Sequence, residues 1–271
     1  MKINVDGFEV DLLLGADPEV FVAKGSQLVS AHGLVPGNKD TPFPTPKGAI
    51  QVDGMALEFN INPAHNKQEF FENINHTFQE LKSRLPSGHD IKIQSTAEFG
   101  KAYIDSQPME AKELGCSPDY NAYTGSTNPR PNVDTPFRTA AGHVHIGWTS
   151  HMSISDPEFL QLCHKVIKLM DLFLGVPSVL MDEDTKRRSL YGAAGAFRPK
   201  SYGAEYRVLS NFWLKSKELT DWVYDQTVLV IKHVMQGTEV PDVQAVINNS
   251  DKEAARKFIN DFGIQMPKGF V

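Results

Sequence analysis

Four short segments of the chain carry ionisable or metal-ligating side chains on alternate residues. In a β-strand, residues two apart point to the same face of the sheet. Each segment therefore predicts a strand with charged or imidazole side chains on one face and apolar side chains on the other. The four segments are residues 17–22 (DPEVFV), 57–62 (LEFNIN), 143–148 (HVHIGW) and 205–208 (EYRV).

The polar faces of these segments contain acids, histidines and an arginine but no lysine. Taken singly, each strand also fits a solvated outer face of a sheet. Taken together, so many acids on one surface would repel one another unless cations lay between them. Oxygen ligands with one or two imidazoles suit Mg²⁺ or Mn²⁺ better than Zn²⁺. The sequence thus predicts a divalent metal site formed from Asp17, Glu19, Glu58, His143, His145 and Glu205.

An arginine-rich segment, residues 184–209, follows the histidine strand. In an acidic protein these arginines pair either with the chain's own carboxylates or with an anionic ligand, since guanidinium groups match phosphate oxygens. Metal-binding carboxylates and arginines together are the two halves of a phosphoryl-transfer site. The GAAGA stretch within it is not a P-loop, because no GK[ST] follows. The arginines are Arg187, Arg188, Arg198 and Arg207.

Helices with clear capping residues alternate with groups of strands. Asn66 and Glu69 form a capping pair for the first helix, and Ser216 caps the third. Asp156 caps the second, which Gly175 is expected to end. The predicted helices span residues 67–85, 157–174 and 217–236, with a shorter one between 250 and 263.

No helix separates most of the strand patterns, which favours an antiparallel sheet. We therefore predict an α+β fold, with a curved, mainly antiparallel sheet and helices packed on one face. Residues 1–271 are expected to form one domain, with residues 237–271 as its C-terminal helical extension. The proline-rich loop 36–47 and the stretch 116–138 predict irregular structure.

Composition narrows the class of protein. The chain has 271 residues, a formal net charge of −6 and a pI near 5.8, which disfavours general nucleic-acid binding. Two isolated cysteines form no CxxC motif, and no segment is typical of a signal peptide or a membrane span. These features predict a cytoplasmic protein.

The order of these motifs resembles the glutamine synthetase and glutamate–cysteine ligase superfamily, and within it the phage-type carboxylate–amine ligases. The resemblance rests on segments that together span most of the chain and that match in order. It implies a fold like the glutamine synthetase catalytic domain and, if the chain is phage-encoded, a place in the host cytoplasm. The segments are LGADPEVFV, QVDGMALEFNINPA, AGHVHIGW and YGAAGAFRPKSYGAEYRVLSNFW.

The resemblance also implies roles for individual side chains. Asp53 is a less certain member of the second acidic strand, and Lys39 is either a phosphate contact or a solvated lysine. The implied metal ligands are Asp17, Glu19, Glu58, His143 and Glu205. The implied catalytic cations are Arg187, Arg188, Arg198 and Arg207, and the implied ATP contacts are Lys39, Arg187 and Arg198. The implied substrate contacts are Asn60, Arg130, Arg138 and His145.

The activity implied is amide formation that depends on ATP and on Mg²⁺ or Mn²⁺. A substrate carboxylate would take the γ-phosphoryl group, and an amine would then displace phosphate, with Asp119 as a candidate for accepting its proton. The substrates would be small molecules or peptides, such as an amino acid or a cell-wall component, with no nucleic acid or membrane partner. A metal-dependent hydrolase, a phosphotransferase on a related sheet and a non-catalytic binding protein stay open as alternatives, as does a homo-oligomer.

Overall fold

The computed structural model describes residues 1–5, 7–112, 119–129 and 135–270. Arg130, predicted to bind substrate, lies outside the described residues. The strands are β1 (Lys2–Val5), β2 (Phe8–Asp11), β3 (Leu13–Lys24), β4 (Gln27–Val29), β5 (Phe43–Thr45), β6 (Gly48–Asp53), β7 (Ala56–Ile61), β8 (His89–Lys92), β9 (Thr96–Glu98), β10 (Tyr120–Asn121), β11 (Phe137–Thr139), β12 (Gly142–Gly147), β13 (Ala196–Lys200) and β14 (Gly203–Tyr206). The α-helices are α1 (Lys67–Ser83), α2 (Lys101–Asp105), α3 (Met109–Lys112), α4 (Pro157–Met170), α5 (Val176–Met181), α6 (Lys217–Met235), α7 (Gln244–Asn248) and α8 (Lys252–Asp261).

The main sheet has the strand order β10-β13-β14-β12-β3-β7-β6-β5, and its paired neighbours are antiparallel. Strands β4 and β8 pair with the C-terminal end of β3. β3 therefore lies at the centre, between β12 and β7. The predicted α+β fold with a large antiparallel sheet is confirmed.

The apolar face of the sheet forms the core together with the helices. Leu14, Val20, Val144 and Ile146 have no exposed surface. Helix α1 packs against β6 and β7, and α4 packs against β13 and β14. Because strand side chains alternate, burial of these apolar residues directs their neighbours in sequence to the opposite face. The four predicted strands lie in β3, β7, β12 and β14.

Helix starts agree with the sequence prediction. The Asn66 side chain accepts a hydrogen bond from the Glu69 backbone N–H at 2.9 Å, and the Glu69 carboxylate accepts one from His65 N–H at 2.7 Å. Asp156 and Ser216 cap α4 and α6 through their side-chain oxygens. These caps satisfy backbone donors that have no partner inside the helix.

The predicted helix end at Gly175 is wrong. After α4 the chain forms a π-helical turn, Asp171–Gly175, and continues directly into α5. Gly175 keeps a right-handed helical φ of −64°. A Cβ atom on it would lie 2.7 Å from Tyr206 Oη and 2.8 Å from Ile247 Cδ1. This glycine therefore permits close packing and does not terminate the helix.

The segment after Gly237 packs back onto the rest of the chain. Helices α7 and α8 contact α5 and bury Ile247 and Ala255 in the main core. Among the described helices, none combines the length and the apolar character that a membrane crossing requires.

Candidate functional site

The register of the sheet brings the four predicted polar faces onto one surface. Strands β7, β3, β12 and β14 lie side by side, and their charged residues come into direct opposition. Segments that are far apart in the sequence thus form one continuous polar surface. The opposed pairs are Glu19 with Glu58, Asp17 with His143, and His145 with Glu205.

One cluster of carboxylates lies at the junction of β3, β6 and β7. Oxygen atoms of Glu19, Asp53 and Glu58 lie within 4.8 Å of one another. Burial, followed by the negative charge of Asp53, raises the pKa of Glu19 to about 7. Burial, followed by the charges of Asp17 and Asp53, raises the pKa of Glu58 well above its usual range. Lys39 Nζ lies 3.0 Å from Asp53 Oδ1. Such mutually repelling carboxylates suit a divalent cation, which would favour their charged forms.

A second cluster lies at the junction of β3, β12 and β14. Ligand atoms of Asp17, His145 and Glu205 lie within 4.8 Å of one another. Asp17 Oδ1 is 3.1 Å from His145 Nε2 and 3.2 Å from His143 Nδ1. Asp17 Oδ1, His145 Nε2 and Glu205 Oε2 are buried, and none makes a well-directed hydrogen bond within the described part of the chain. Lys200 Nζ lies 2.9 Å from Glu205 Oε2. This donor set, two carboxylates and an imidazole, fits Mn²⁺ or Mg²⁺.

The charge states in the second cluster are set by its neighbours. Burial alone would raise the pKa of Asp17, but His145 and His143 outweigh it and hold that pKa well below its usual range. Burial and Asp17 would raise the pKa of Glu205, but Arg207 and the two histidines lower it to about 2. Both carboxylates are therefore ionised at neutral pH and available to a cation.

Two arginines extend from these clusters towards Asp119. Arg207 Nε lies 2.6 Å from Asp119 Oδ1, and its Nη1 contacts Glu205 and lies 3.3 Å from His143 Nδ1. Arg198 lies 3.6 Å from both Asp119 and Glu205. Burial would lower the pKa of Arg207, but Glu205 and Asp119 outweigh it and raise the pKa above its ordinary value. The Arg207 guanidinium group thus remains cationic beside the second cluster.

Arg187 and Arg138 are buried cations that carry spare donors. Their side chains are only 2% and 5% exposed. Arg187 donates to the Val208 carbonyl at 2.7 Å, and Arg138 donates to the Phe137 carbonyl at 2.9 Å. The Nε atom of each makes no hydrogen bond to any described residue. Burial lowers the pKa of Arg187 to about 10, so it is still charged at neutral pH. A buried guanidinium group with an unused donor suits an incoming anion.

The Arg188 side chain does not join the other arginines at the metal-ligand clusters. Its guanidinium group donates to Ser178 Oγ at 2.9 Å and to Ser250 Oγ at 3.2 Å. It joins α5 to the start of α8 and is not among the residues that line the two cavities described below. A catalytic role for Arg188 has no geometric support in this structure.

Two cavities open on the polar face and share Asp17 and Glu58. The first, of about 180 Å³, is strongly charged and contains both Lys39 and Tyr191. The second, of about 450 Å³, is mainly apolar. The first cavity is lined by the predicted ATP contacts, Lys39, Arg187 and Arg198, and also by Arg138. The second cavity is lined by Asn60 and His145. The apolar cavity includes Leu13, Ala16, Ile61, Pro63 and Tyr202.

Three residues of the site, Gln51, Lys200 and Tyr202, were not singled out from the sequence. Asp53 and Gln51 share one strand face, and both line the charged cavity. Lys200 likewise follows Arg198 at a spacing of two in β13. Tyr202 lies in the turn after β13, where alternation gives no information.

Residues 137–266 match the family described as phage phiEco32-like COOH.NH2 ligase-type 2. The predicted resemblance to carboxylate–amine ligases is thereby confirmed. The matched segment contains β12, β13 and β14, which carry the histidines, Arg198 and Glu205, and it also contains Arg207. The acidic strands β3 and β7 precede it.

Solved structures of ligases share a distant likeness with the chain. A bifunctional glutathione synthetase from Pasteurella multocida is 11% identical with a TM-score of 0.43, covering 94% of this chain and 45% of its own. A novel glutamine synthase homolog is 12% identical with a TM-score of 0.41, covering 93% of this chain and 63% of its own. Apo GmaS is 12% identical with a TM-score of 0.38, covering 96% of this chain and 71% of its own.

The chain thus spans less than two thirds of the length of the first two of these proteins. No curated protein sequence matches the chain.

Proposed function

We propose that this protein is an ATP- and Mg²⁺-dependent carboxylate–amine ligase that works through an acyl phosphate. The observation that carries the proposal is the first cavity. Carboxylates of the proposed metal clusters and buried guanidinium groups with unused donors line this same cavity. This is the combination that transfer of a phosphoryl group to a carboxylate requires.

Formal charge in the first cavity favours joint binding of cations and a polyanion. Five acids line it, and so do five cations, which leaves it near neutrality. Each divalent ion would add a charge of about +2, and a triphosphate with a substrate carboxylate would balance two such ions. The acids are Asp17, Glu19, Asp53, Glu58 and Asp119, and the cations are Lys39, Arg138, Arg187, Arg198 and Arg207.

The proposed metal ligands are the two clusters at the sheet face. When bound, Mg²⁺ or Mn²⁺ supplies charge neutralisation to phosphate oxygens. The Glu19–Asp53–Glu58 cluster and the Asp17–His145–Glu205 cluster supply carboxylate oxygens and one imidazole. His143, proposed from the sequence as a ligand, also contacts Asp17 and Glu205.

The arginines would orient the reacting anions. Arg198 and Arg207 would contact the transferred phosphoryl group, because they lie beside Glu205 at the second cluster. Arg138 and Arg187 would hold the substrate carboxylate through the donors that the protein leaves unused. Preorganised donors of this kind stabilise charge that develops in a transition state.

The reaction would proceed in two displacement steps. A carboxylate oxygen attacks the γ-phosphorus, and the bond to the departing ADP breaks. The amine nitrogen then attacks the acyl carbon, phosphate leaves, and the amine loses a proton, for which Asp119 is the proposed acceptor. The carboxylate and the amine are proposed to be small molecules or peptides.

The apolar cavity is the proposed place for the nucleobase. Its walls of Leu13, Ile61 and the Tyr202 ring suit a planar heterocycle. Because the two cavities meet at Asp17 and Glu58, a bound triphosphate could extend from one to the other. Asn60 would then contact the nucleotide and not the carboxylate substrate, whereas His145 would contact the cation of the second cluster.

Thermal unfolding tests nucleotide binding directly. Wild type, Arg198→Ala and a control, Arg256→Ala, are measured with Mg²⁺, with ATP and EDTA, and with Mg²⁺ and ATP together. Arg256 is exposed on α8 and donates only to a helix carbonyl in the described contacts. At a hundredfold excess of ligand over Kd, we expect about 2.7 kcal/mol of added stability from the combination. This gain should vanish in Arg198→Ala and persist in Arg256→Ala.

The chemistry is tested with hydroxylamine as a general amine. An acyl phosphate reacts with hydroxylamine to form a hydroxamate, and candidate carboxylates are screened for its appearance with ADP. If ATP adds no stability beyond Mg²⁺ alone, the ligase proposal is wrong. ADP release without a hydroxamate for any carboxylate would favour a phosphotransferase.

A further inference from the structure

Tyr202 contacts the histidine of the second cluster. It lies in the turn between β13 and β14, and its Oη is 2.5 Å from His145 Nδ1. The other ring nitrogen, His145 Nε2, is 3.1 Å from Asp17 Oδ1. The imidazole therefore connects a tyrosine hydroxyl on one side with the cluster on the other.

If His145 Nε2 binds a cation, the ring proton must lie on Nδ1. An imidazole nitrogen binds a cation only through its lone pair, so the proton must then lie on the other nitrogen. In His145 that other nitrogen is Nδ1, and Tyr202 Oη is placed to accept its hydrogen bond. The buried Nε2 lacks a well-directed hydrogen bond to any described group, as a ligand awaiting a cation would.

His143 is less suited to the same cation. Its Nδ1 lies 3.2 Å from Asp17 but also 3.3 Å from the Arg207 guanidinium group, whose positive charge opposes a second cation there. Lys200 also lies at this cluster, where its Nζ is 2.9 Å from Glu205 Oε2. The Lys200 side chain is 34% exposed, so it can withdraw from Glu205 into solvent.

We propose that Tyr202 is a positioning residue, which fixes the ring and the tautomer of His145 so that Nε2 faces the divalent cation proposed between Asp17 and Glu205. This inference rests on the proposed function, because it concerns one of the two cations that the ligase would use. A metal-bound histidine commonly donates its other ring N–H to a carboxylate or a carbonyl, and removal of that acceptor typically weakens metal binding about 10–100-fold. A tyrosine oxygen in that place should have a comparable effect.

The experiment measures Mn²⁺ binding alone, by electron paramagnetic resonance and calorimetry, without any nucleotide. Wild type is expected to bind two ions. Tyr202→Phe should weaken one of them about tenfold or more and leave the other unchanged. His145→Gln should remove that same ion, and nitrogen hyperfine coupling to it should disappear. Tyr202 is 36% exposed, so loss of its hydroxyl leaves the packing intact.

Tyr224→Phe is the matched control, since the Tyr224 hydroxyl makes no hydrogen bond to described residues and lies on α6. It should bind Mn²⁺ as wild type does. If Tyr202→Phe equals wild type, Tyr202 does not position the ligand. If His143→Gln loses the ion and His145→Gln retains it, His145 is not the ligand. A wild type that binds no Mn²⁺ would overturn the proposed function together with this inference, whereas the two preceding results overturn the inference alone.

Discussion

Replacing Asp171 with asparagine should change how the free energy of unfolding depends on pH. Asp171 has no exposed surface and lies in the π-helical turn after α4. Its carboxylate accepts hydrogen bonds from Tyr206 Oη at 2.8 Å and from the Gly195 N–H at 2.7 Å. Burial nevertheless dominates and raises its pKa from 3.8 to about 7.

The sign follows from the two pKa values. Because the folded state holds the Asp171 proton more tightly than the unfolded chain does, this contribution to stability is complete below pH ~4 and is lost as pH rises towards ~7. Between pH ~5.5 and ~8, the wild type should lose about 2 kcal/mol through this group alone. Asparagine has no such proton, and its amide can bond both to Gly195 N–H and to the Tyr206 hydroxyl.

Urea unfolding of both proteins near pH 5.5 and pH 8 measures the difference. The stability of Asp171→Asn relative to wild type should rise by about 2 kcal/mol over this interval. Asp261→Asn, at an exposed position on α8, should show no such change. Parallel pH profiles for wild type and Asp171→Asn would refute the reasoning, because they would mean that Asp171 does not titrate in this range.

Three further perturbations test the packing, a cap and the first metal cluster. Gly175→Ala should cost about 1–3 kcal/mol in urea unfolding, since its Cβ would collide with Tyr206 and Ile247; an unchanged midpoint would contradict this packing. Asn66→Ala should lower stability by about 1 kcal/mol through loss of the α1 cap, whereas Asn66→Asp should not; equal losses in both would exclude the capping role. Calorimetry should show Mg²⁺ affinity rising with pH up to about 7, with proton release, because the cation must displace the proton that Glu19 holds below that pH; affinity that does not vary with pH would contradict the assignment.

Local alternation was enough to predict which residues share the polar face. The spacing of Asp17 and Glu19 within one strand fixes their common direction, because the period of two is a property of the backbone alone. The same logic applies to His143 and His145. Their opposition to partners on other strands depends on register, which the alternation of buried residues strongly constrains.

Features that depend on tertiary contacts were not predictable in this way. Arg187 and Arg188 are adjacent in a 3₁₀ turn, Lys186–Ser189, so their side chains diverge, one to the cavity and the other to serines of distant segments. Gly175 carries the local signature of a helix end, yet its lack of a side chain serves contact with Tyr206. Tyr202 lies in a turn and belongs to no alternating pattern, so its contact with His145 could not be predicted from the sequence. The functional roles of these residues remain predictions.

The central position of β3 has a consequence for synthesis of the chain. Residues 13–18 of β3 pair with β12, residues 142–147, and this partner emerges from the ribosome long after β3. At about 5–20 residues per second, that edge of β3 stays unpaired for on the order of 10 s. An unpaired apolar edge is a template for aggregation, and charged side chains on it oppose such pairing. We therefore expect Asp17 and Glu19 to oppose aggregation of the nascent chain before the strands that complete their clusters have been synthesised.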